Sequence, residues 1–283
     1  MGVALNLGFV AVEAVYGVLS DSLALLADAG HNLGDVLGLL LAWAAAWAGR
    51  RLPTPRWTYG FGRSSILASL INAVVLLIAT GAIAWEAIRR LSDPQPIEAG
   101  VVMWVAAIGI LVNAGTAAMF MAGRRKDLNI KGAFLHMAAD AAVSLGVVIA
   151  ALAIAQTGWL WIDPATSLVI VVVIAVGTWG LLRDSVRLAL DAVPADIDRE
   201  AVESYLASLP GVTAVHDLHI WPLSTTSVAL TAHLVKADAS IDDDLLDEVA
   251  AELQRRFGID HTTIQTEHRS GGQECRLAAP HVV

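Results

Sequence analysis

Two stretches of the chain each carry a histidine followed four residues later by an aspartate: His31 with Asp35, and His136 with Asp140. Residues four apart lie on one face of an α-helix, so each stretch presents an imidazole beside a carboxylate. Together they supply two nitrogen and two oxygen ligands, which suit a tetrahedral ion of the Zn²⁺ type. The spacing therefore predicts a metal site built from these four side chains.

The composition predicts that both pairs lie inside a membrane. Hydrophobic residues make up 56% of the chain and charged residues 16%, whereas a soluble domain is about 25% charged. Each of six apolar stretches is close to or above the roughly 18–20 residues that cross a bilayer. These stretches are residues 3–20, 23–49, 64–88, 99–123, 132–156 and 162–182. The expected fold is thus an α-helical membrane protein with six transmembrane helices.

The cost of burying charge supports a metal at the paired motifs. An unpaired carboxylate in lipid costs several kcal/mol, and no Lys or Arg lies near Asp35 or Asp140 within their spans. A divalent cation, or protons in its absence, would remove that cost. Two more acids each allow two interpretations. Asp28 could be an outer group that supports the metal ligands, or it could cap its helix. Glu13 could belong to a proton or ion path, or it could hydrogen-bond to a neighbouring helix.

The basic residues predict the orientation in the membrane. Four arginines flank the second connection and four basic residues flank the fourth, while residues 157–161 in the fifth have none. Because Lys and Arg favour the cytoplasmic side, both termini are expected in the cytoplasm. Arg89 and Arg90 in the third connection go against this rule.

A soluble domain is predicted after the sixth span, which divides the chain into residues 1–190 and 191–283, with a flexible tail from about 269. Amphipathic and alternating patterns give the order helix, strand, strand, helix, strand, with Asp198 or Asp196 capping the first helix. The net charge of −9 is concentrated here, which disfavours nucleic-acid binding. Cys275 is the sole cysteine, so neither an internal disulfide nor a cysteine metal cluster is possible within one chain.

Four stretches resemble the cation diffusion facilitator family along essentially the whole chain. They are SLALLADAGHNLGD at 22–35, NIKGAFLHMAAD at 129–140, WIDP at 161–164 and HDLHIW at 216–221. The resemblance implies a six-helix bundle with a cytoplasmic ferredoxin-like α+β domain, usually a homodimer, that exports Zn²⁺ or related ions against an inward proton flow. It implies that His31, Asp35, His136 and Asp140 form the transport site. A histidine at the first position resembles the zinc-type members, and Cd²⁺ and Co²⁺ are possible further substrates.

The resemblance also implies a second, regulatory metal site in the soluble domain. His216, His233 and Glu267 match the family's ligand positions best, with His219 and His261 as possible additions. The alternative is that these histidines are exposed or bond to the backbone. Between residues 36 and 85 the chain has no Asp, Glu or His, so the extra site that some members carry in this region is predicted to be absent.

The chain also departs from the family at Ser65, where an acid is common. A short basic fourth connection resembles prokaryotic members, which implies a multi-pass protein of the bacterial inner membrane.

Two other classes of function remain open at this level. An intramembrane zinc enzyme would need an open coordination position, and the chain has neither a His-Glu-x-x-His nor a Gly-x-Ser-x-Gly motif. A membrane metal sensor would use the soluble domain as its output. The favoured hypothesis is a metal/proton antiporter that works by alternating access, with divalent metal ions, protons and the lipid bilayer as its partners.

Overall fold

The computed structural model describes the backbone of residues 2–121, 128–237 and 243–268, and within these the side chains of 2–6, 120 and 128–133 are not described. The predicted flexible tail from about 269 lies outside the described residues. The chain divides into two compact units, Met1–Leu41 with Ile71–Leu182, and Ala42–Leu70 with Arg183–Val283. The first contains the paired His/Asp motifs. The second contains the α+β domain together with the connection after the second helix.

Six apolar helices come first in the chain, as predicted. They are α1 (Gly2–Leu19), α2 (Leu23–Gly49), α3 (Ser64–Ser92), α4 (Ala99–Phe120), α5 (Leu128–Thr157) and α6 (Ile162–Ala189). Within the described residues, α2 to α6 are long and apolar enough to cross a membrane, and α1 contributes a shorter apolar helix over Leu7–Leu19. Large apolar side chains such as Trp104 and Val176 point outward and are more than 70% exposed, which fits a lipid environment.

Small residues allow the helices of the first unit to approach closely. A Cβ on Gly34 would clash with Cδ2 of Leu76, and one on Gly38 would lie 2.9 Å from Nδ2 of Asn72. Both glycines belong to α2, on the segment that carries Asp35, and both partners belong to α3. These glycines beside the first motif therefore allow close packing between α2 and α3.

The start of α2 is fixed by a carboxylate from α6. The buried Asp163 accepts hydrogen bonds from the backbone N–H groups of Leu23 at 2.8 Å and Ala24 at 3.3 Å, and from the hydroxyl of Ser22. A negative charge at a helix N-terminus satisfies free N–H groups and compensates the helix dipole. The capping role that the sequence left open for Asp28 is therefore wrong, because Asp28 lies inside α2 and Asp163 occupies the cap.

The α+β domain has the predicted order of elements. They are α7 (Arg199–Ala207), β1 (Val212–Pro222), β2 (Val228–Lys236), α8 (Asp243–Phe257) and β3 (His261–His268). The sheet order is β1-β2-β3, with β1 antiparallel and β3 parallel to β2. Fully buried Leu206, Leu230 and Leu253 belong to one core that joins both helices to the sheet. Asp198 caps α7, since its Oδ1 accepts from the N–H groups of Glu200 and Ala201 at 3.0 and 3.2 Å.

One irregularity interrupts β1 at its histidine-rich segment. His216 pairs with His233, but the next pair joins His219 to Thr231, so β1 contains one extra residue there. Asp217 has a positive φ of 52°, which is the left-handed conformation of a residue in a bulge. The bulge changes which side chains of β1 share a face of the sheet.

Candidate metal centres

The two His/Asp motifs meet in the first unit and form one ring of four side chains. His31 Nε2 lies 3.3 Å from Asp140 Oδ1 and 3.8 Å from Asp35 Oδ2. His136 Nε2 lies 3.2 Å from Asp35 Oδ2 and 3.7 Å from Asp140 Oδ2. Each imidazole therefore contacts the aspartate of its own helix and the aspartate of the other helix, so α2 and α5 contribute equally.

The spacing of these donor atoms fits a tetrahedral metal ion. Zn–N and Zn–O bonds of about 2.0–2.1 Å place neighbouring ligand atoms of a tetrahedron about 3.3 Å apart. The four nitrogen–oxygen distances run from 3.2 to 3.8 Å, with His31 and His136 contacting different oxygens of Asp140. Ligand atoms of His31, Asp35 and Asp140 all lie within 4.8 Å of one another, and His136 reaches both carboxylates from α5.

The carboxylates of this ring have unused hydrogen-bonding capacity. Oδ2 of Asp35 and Oδ2 of Asp140 are buried and accept no well-aligned hydrogen bond from the described residues. A cavity of about 290 Å³ adjoins the site, lined by Asp35, His136, Asp140 and polar side chains that include Asn72 and Asn113. Buried carboxylate oxygens beside a polar cavity are suited to accept a desolvated cation.

Asp140 is the most deeply buried member of the ring. Its side chain is 2% exposed, against 30% for Asp35 and 44% for His136. A charge at such a position has little access to water, so it depends most strongly on a compensating cation. Sequence spacing predicted Asp140 as a ligand, but it did not distinguish this residue from Asp35.

The three best-matched residues of the soluble domain also meet. His233 Nδ1 lies 2.9 Å from Glu267 Oε1, and His216 Nε2 lies 3.4 Å from Glu267 Oε2. The two imidazole rings are 5.0 Å apart between centroids. The three side chains form a second group whose ligand atoms all lie within 4.8 Å of one another. Two nitrogens and a carboxylate are a donor set that zinc accepts, with a fourth position left for another ligand.

The two possible additions to this site occupy different places. His219 Nε2 lies 2.9 Å from Asp217 Oδ1, and Asp217 Oδ2 lies 3.4 Å from His233 Nε2, so His219 is linked to the cluster through Asp217. His261 instead pairs with Ala229 at the other end of β3, where its ring meets Tyr59 at 5.6 Å. The bridging contact of Asp217 to His233 does not follow from strand alternation, because it depends on the bulge.

Ser65, which stands where the family commonly has an acid, makes a hydrogen bond instead of an ion pair. Its hydroxyl accepts from the backbone N–H of Thr225 at 3.0 Å within the second unit. The neighbouring Arg63 forms an ion pair with Asp191. Both groups of that pair are about half exposed, so the pair contributes little to stability.

Three features define the class of this protein: the apolar helices, the ring of nitrogen and oxygen donors from two helices, and the attached α+β domain. It is a multi-pass membrane protein whose intramembrane site suits a divalent cation. Residues 1–188 match the cation efflux transmembrane domain, and residues 194–269 match the cytoplasmic domain of cation efflux proteins. The chain belongs to the cation efflux family. It is accordingly a transporter and not an enzyme.

Several bacterial proteins resemble the chain along most of its length. The zinc transporter ZitB of Escherichia coli K12 is 39% identical over 273 residues, covering 95% of this chain and 87% of that protein. The metal cation efflux system protein CzcD of Cupriavidus metallidurans is 37% identical, with 94% and 85% covered. A cadmium, cobalt and zinc/H⁺-K⁺ antiporter of Bacillus subtilis is 34% identical, with 92% and 85% covered. Together with the apolar helices, these relatives identify a multi-pass protein of the bacterial inner membrane.

Proposed function

We propose that this protein exports divalent metal ions, Zn²⁺ first among them, from the cytoplasm in exchange for protons. The observation that carries the proposal is the closed ring of His31, Asp35, His136 and Asp140, in which two helices alternate nitrogen and oxygen donors at tetrahedral spacing. Relatives named as a zinc transporter and as a cadmium, cobalt and zinc antiporter support both the cargo and the exchange.

The ligand types support zinc over harder ions. Imidazole suits Zn²⁺ and Co²⁺, whereas Mg²⁺ and Mn²⁺ prefer sites made of oxygen alone. Because the ring is mixed, Cd²⁺ and Co²⁺ are the most plausible further substrates. His31 and His136 would set the choice of metal, and Asp35 and Asp140 would set the affinity.

Proton coupling follows from the chemistry of the same ligands. A metal binds imidazole and carboxylate groups in their deprotonated forms, so protons compete with the metal for each of them. We propose that the ring loads metal while open to the cytoplasm and protons while open to the other side. Relative movement of the helices would alternate the access, with both chain termini remaining in the cytoplasm.

The proton exchange is tested in proteoliposomes that contain the purified full-length protein. We expect zinc uptake to rise when the lumen is more acidic than the outside and to fall when the gradient is dissipated by an ionophore. Equal uptake with and without the opposing pH gradient would contradict the antiport.

We further propose that His216, His233 and Glu267 bind a regulatory Zn²⁺ in the cytoplasmic domain, within a homodimer. The three side chains are only 12–14% exposed, and the Glu267 carboxylate lies within 3.4 Å of a nitrogen of each imidazole. The Glu267 carboxylate would compensate the charge of a metal bound here. Asp217 contacts the other ring nitrogen of His233. Zinc bound by this domain would bias the transporter toward one conformation.

We expect His233→Ala to lower the zinc bound by the purified full-length protein by about one ion per chain, because it removes a ligand of a three-residue site. His261→Ala is the matched control, since that imidazole lies at the other end of β3 against Tyr59. Zinc content measured by elemental analysis after gel filtration distinguishes the two variants. Equal zinc content in both would show that the cytoplasmic cluster is a hydrogen-bond network without metal.

A further inference from the structure

Two carboxylic acids that the four-residue ring does not use lie buried next to each other in the first unit. Glu13 of α1 and Asp28 of α2 are both 0% exposed. Asn32 donates from Nδ2 to Glu13 Oε2 at 3.1 Å, and Ser144 of α5 donates from its hydroxyl to Asp28 Oδ2 at 2.8 Å. Each acid is therefore held by one neutral donor from another helix.

The second oxygen of each acid has no such donor. Oε1 of Glu13 and Oδ1 of Asp28 are buried without a hydrogen-bond partner among the described residues. Glu13 lies beside Asp28, because its hydrogen-bond partner Asn32 follows Asp28 by one turn on the same face of α2. A single proton shared by the two acids would satisfy both of these oxygens. The protonated oxygen would donate a hydrogen bond, and the oxygen of the other acid would accept it.

In the described parts of α1 and α4, no side chain supplies a fixed positive charge to the two acids. Tyr16 is the one other titratable residue in the described part of α1, and α4, which packs on α1, has none over residues 99–119. Asp28 faces His31 and Asp140 of the ring at longer range. Two neighbouring buried carboxyl groups are costly to ionise together.

We propose that Glu13 and Asp28 share one exchangeable proton, and that this pair is a proton site separate from the four metal ligands. This proposal rests on the proposed antiport, and it assigns one of the protons exchanged for the metal to the Glu13–Asp28 pair. A divalent ion in the ring places positive charge near Asp28, one helical turn before His31, and favours the ionised pair. The proton then leaves to water as the metal binds, and one returns from water when the metal departs.

The test measures the protons released per zinc bound by the full-length protein in detergent, using a pH indicator in weak buffer. We expect Glu13→Gln to release about one proton fewer per zinc than wild type, while zinc affinity changes by less than about threefold. Glutamine keeps the size and donates to Asp28, which leaves that carboxylate ionised throughout. Glu98→Gln is the matched control, because Glu98 is exposed before α4 and its side chain makes no capping bond.

Asp28→Asn supplies an independent check and covers the case in which Glu13→Gln does not fold. We expect it to lose the same single proton, and the double variant to lose one proton and not two, because the proton is shared. Unchanged release in both single variants, or the loss of two protons in the double variant, would overturn the shared site. A wild-type protein that transports zinc without any proton release would instead contradict the proposed antiport itself.

Discussion

Replacing Asp140 by alanine should abolish zinc transport. The side chain is the most buried of the ring, and it contacts His31 at 3.3 Å and His136 at 3.7 Å. Its loss removes one of four proposed ligands and leaves both imidazoles with only one of the two carboxylates they share. Because loss of a group outside the ligand set already lowers metal affinity by about 10–100-fold, loss of this ligand should lower zinc flux at least about 100-fold.

The measurement is zinc uptake into proteoliposomes at matched protein density, with folding checked by gel filtration in detergent. Asp93→Ala is the control, since Asp93 lies exposed in the connection between α3 and α4 and makes no described side-chain contact with the ring. Asp93→Ala should retain wild-type flux. Undiminished flux from a correctly folded Asp140→Ala protein would mean that zinc crosses without this site, and it would reopen the sensor interpretation of the chain.

Replacing His31 by aspartate should move the preference of the transporter from zinc toward manganese. The change converts a ring of two nitrogens and two oxygens into one nitrogen and three oxygens, and harder ions favour oxygen ligands. We expect the ratio of manganese to zinc transport to rise about tenfold, which corresponds to roughly 1.4 kcal/mol of relative affinity. Competition of each metal against radioactive zinc in the same vesicles measures that ratio.

His31→Ala separates the change of ligand type from the simple loss of a ligand. Alanine removes the nitrogen without adding an oxygen, so this variant should lose zinc transport and gain none for manganese. If the aspartate variant keeps the wild-type selectivity profile, the division of roles between imidazoles and carboxylates is wrong.

The local part of the intramembrane site could be predicted because it follows from helix periodicity. His31 with Asp35, and His136 with Asp140, share a helix face through their spacing alone. That the two faces meet could be inferred only indirectly, from the cost of burying two carboxylates. The unequal burial of Asp35 and Asp140 could not be inferred, since it depends on how α1, α4 and α5 cover α2.

The cytoplasmic cluster shows where strand alternation is insufficient. Strict alternation places His216 and Asp217 on opposite faces of β1, yet both approach His233. The extra residue in the bulge and the left-handed backbone of Asp217 account for this. The surroundings of His261 could not be predicted either, because Tyr59, which its ring contacts, is about two hundred residues earlier in the sequence.

Asp163 has a mechanical consequence for any transport cycle. It joins the first turn of α6 to the first turn of α2, and α2 carries half of the metal ligands. Separating these two helix ends would break three hydrogen bonds and leave the Asp163 carboxylate and two N–H groups without their partners. We therefore expect the first turns of α2 and α6 to move together during transport. The relative helix movement that alternates access would then occur between this pair and other helices of the bundle.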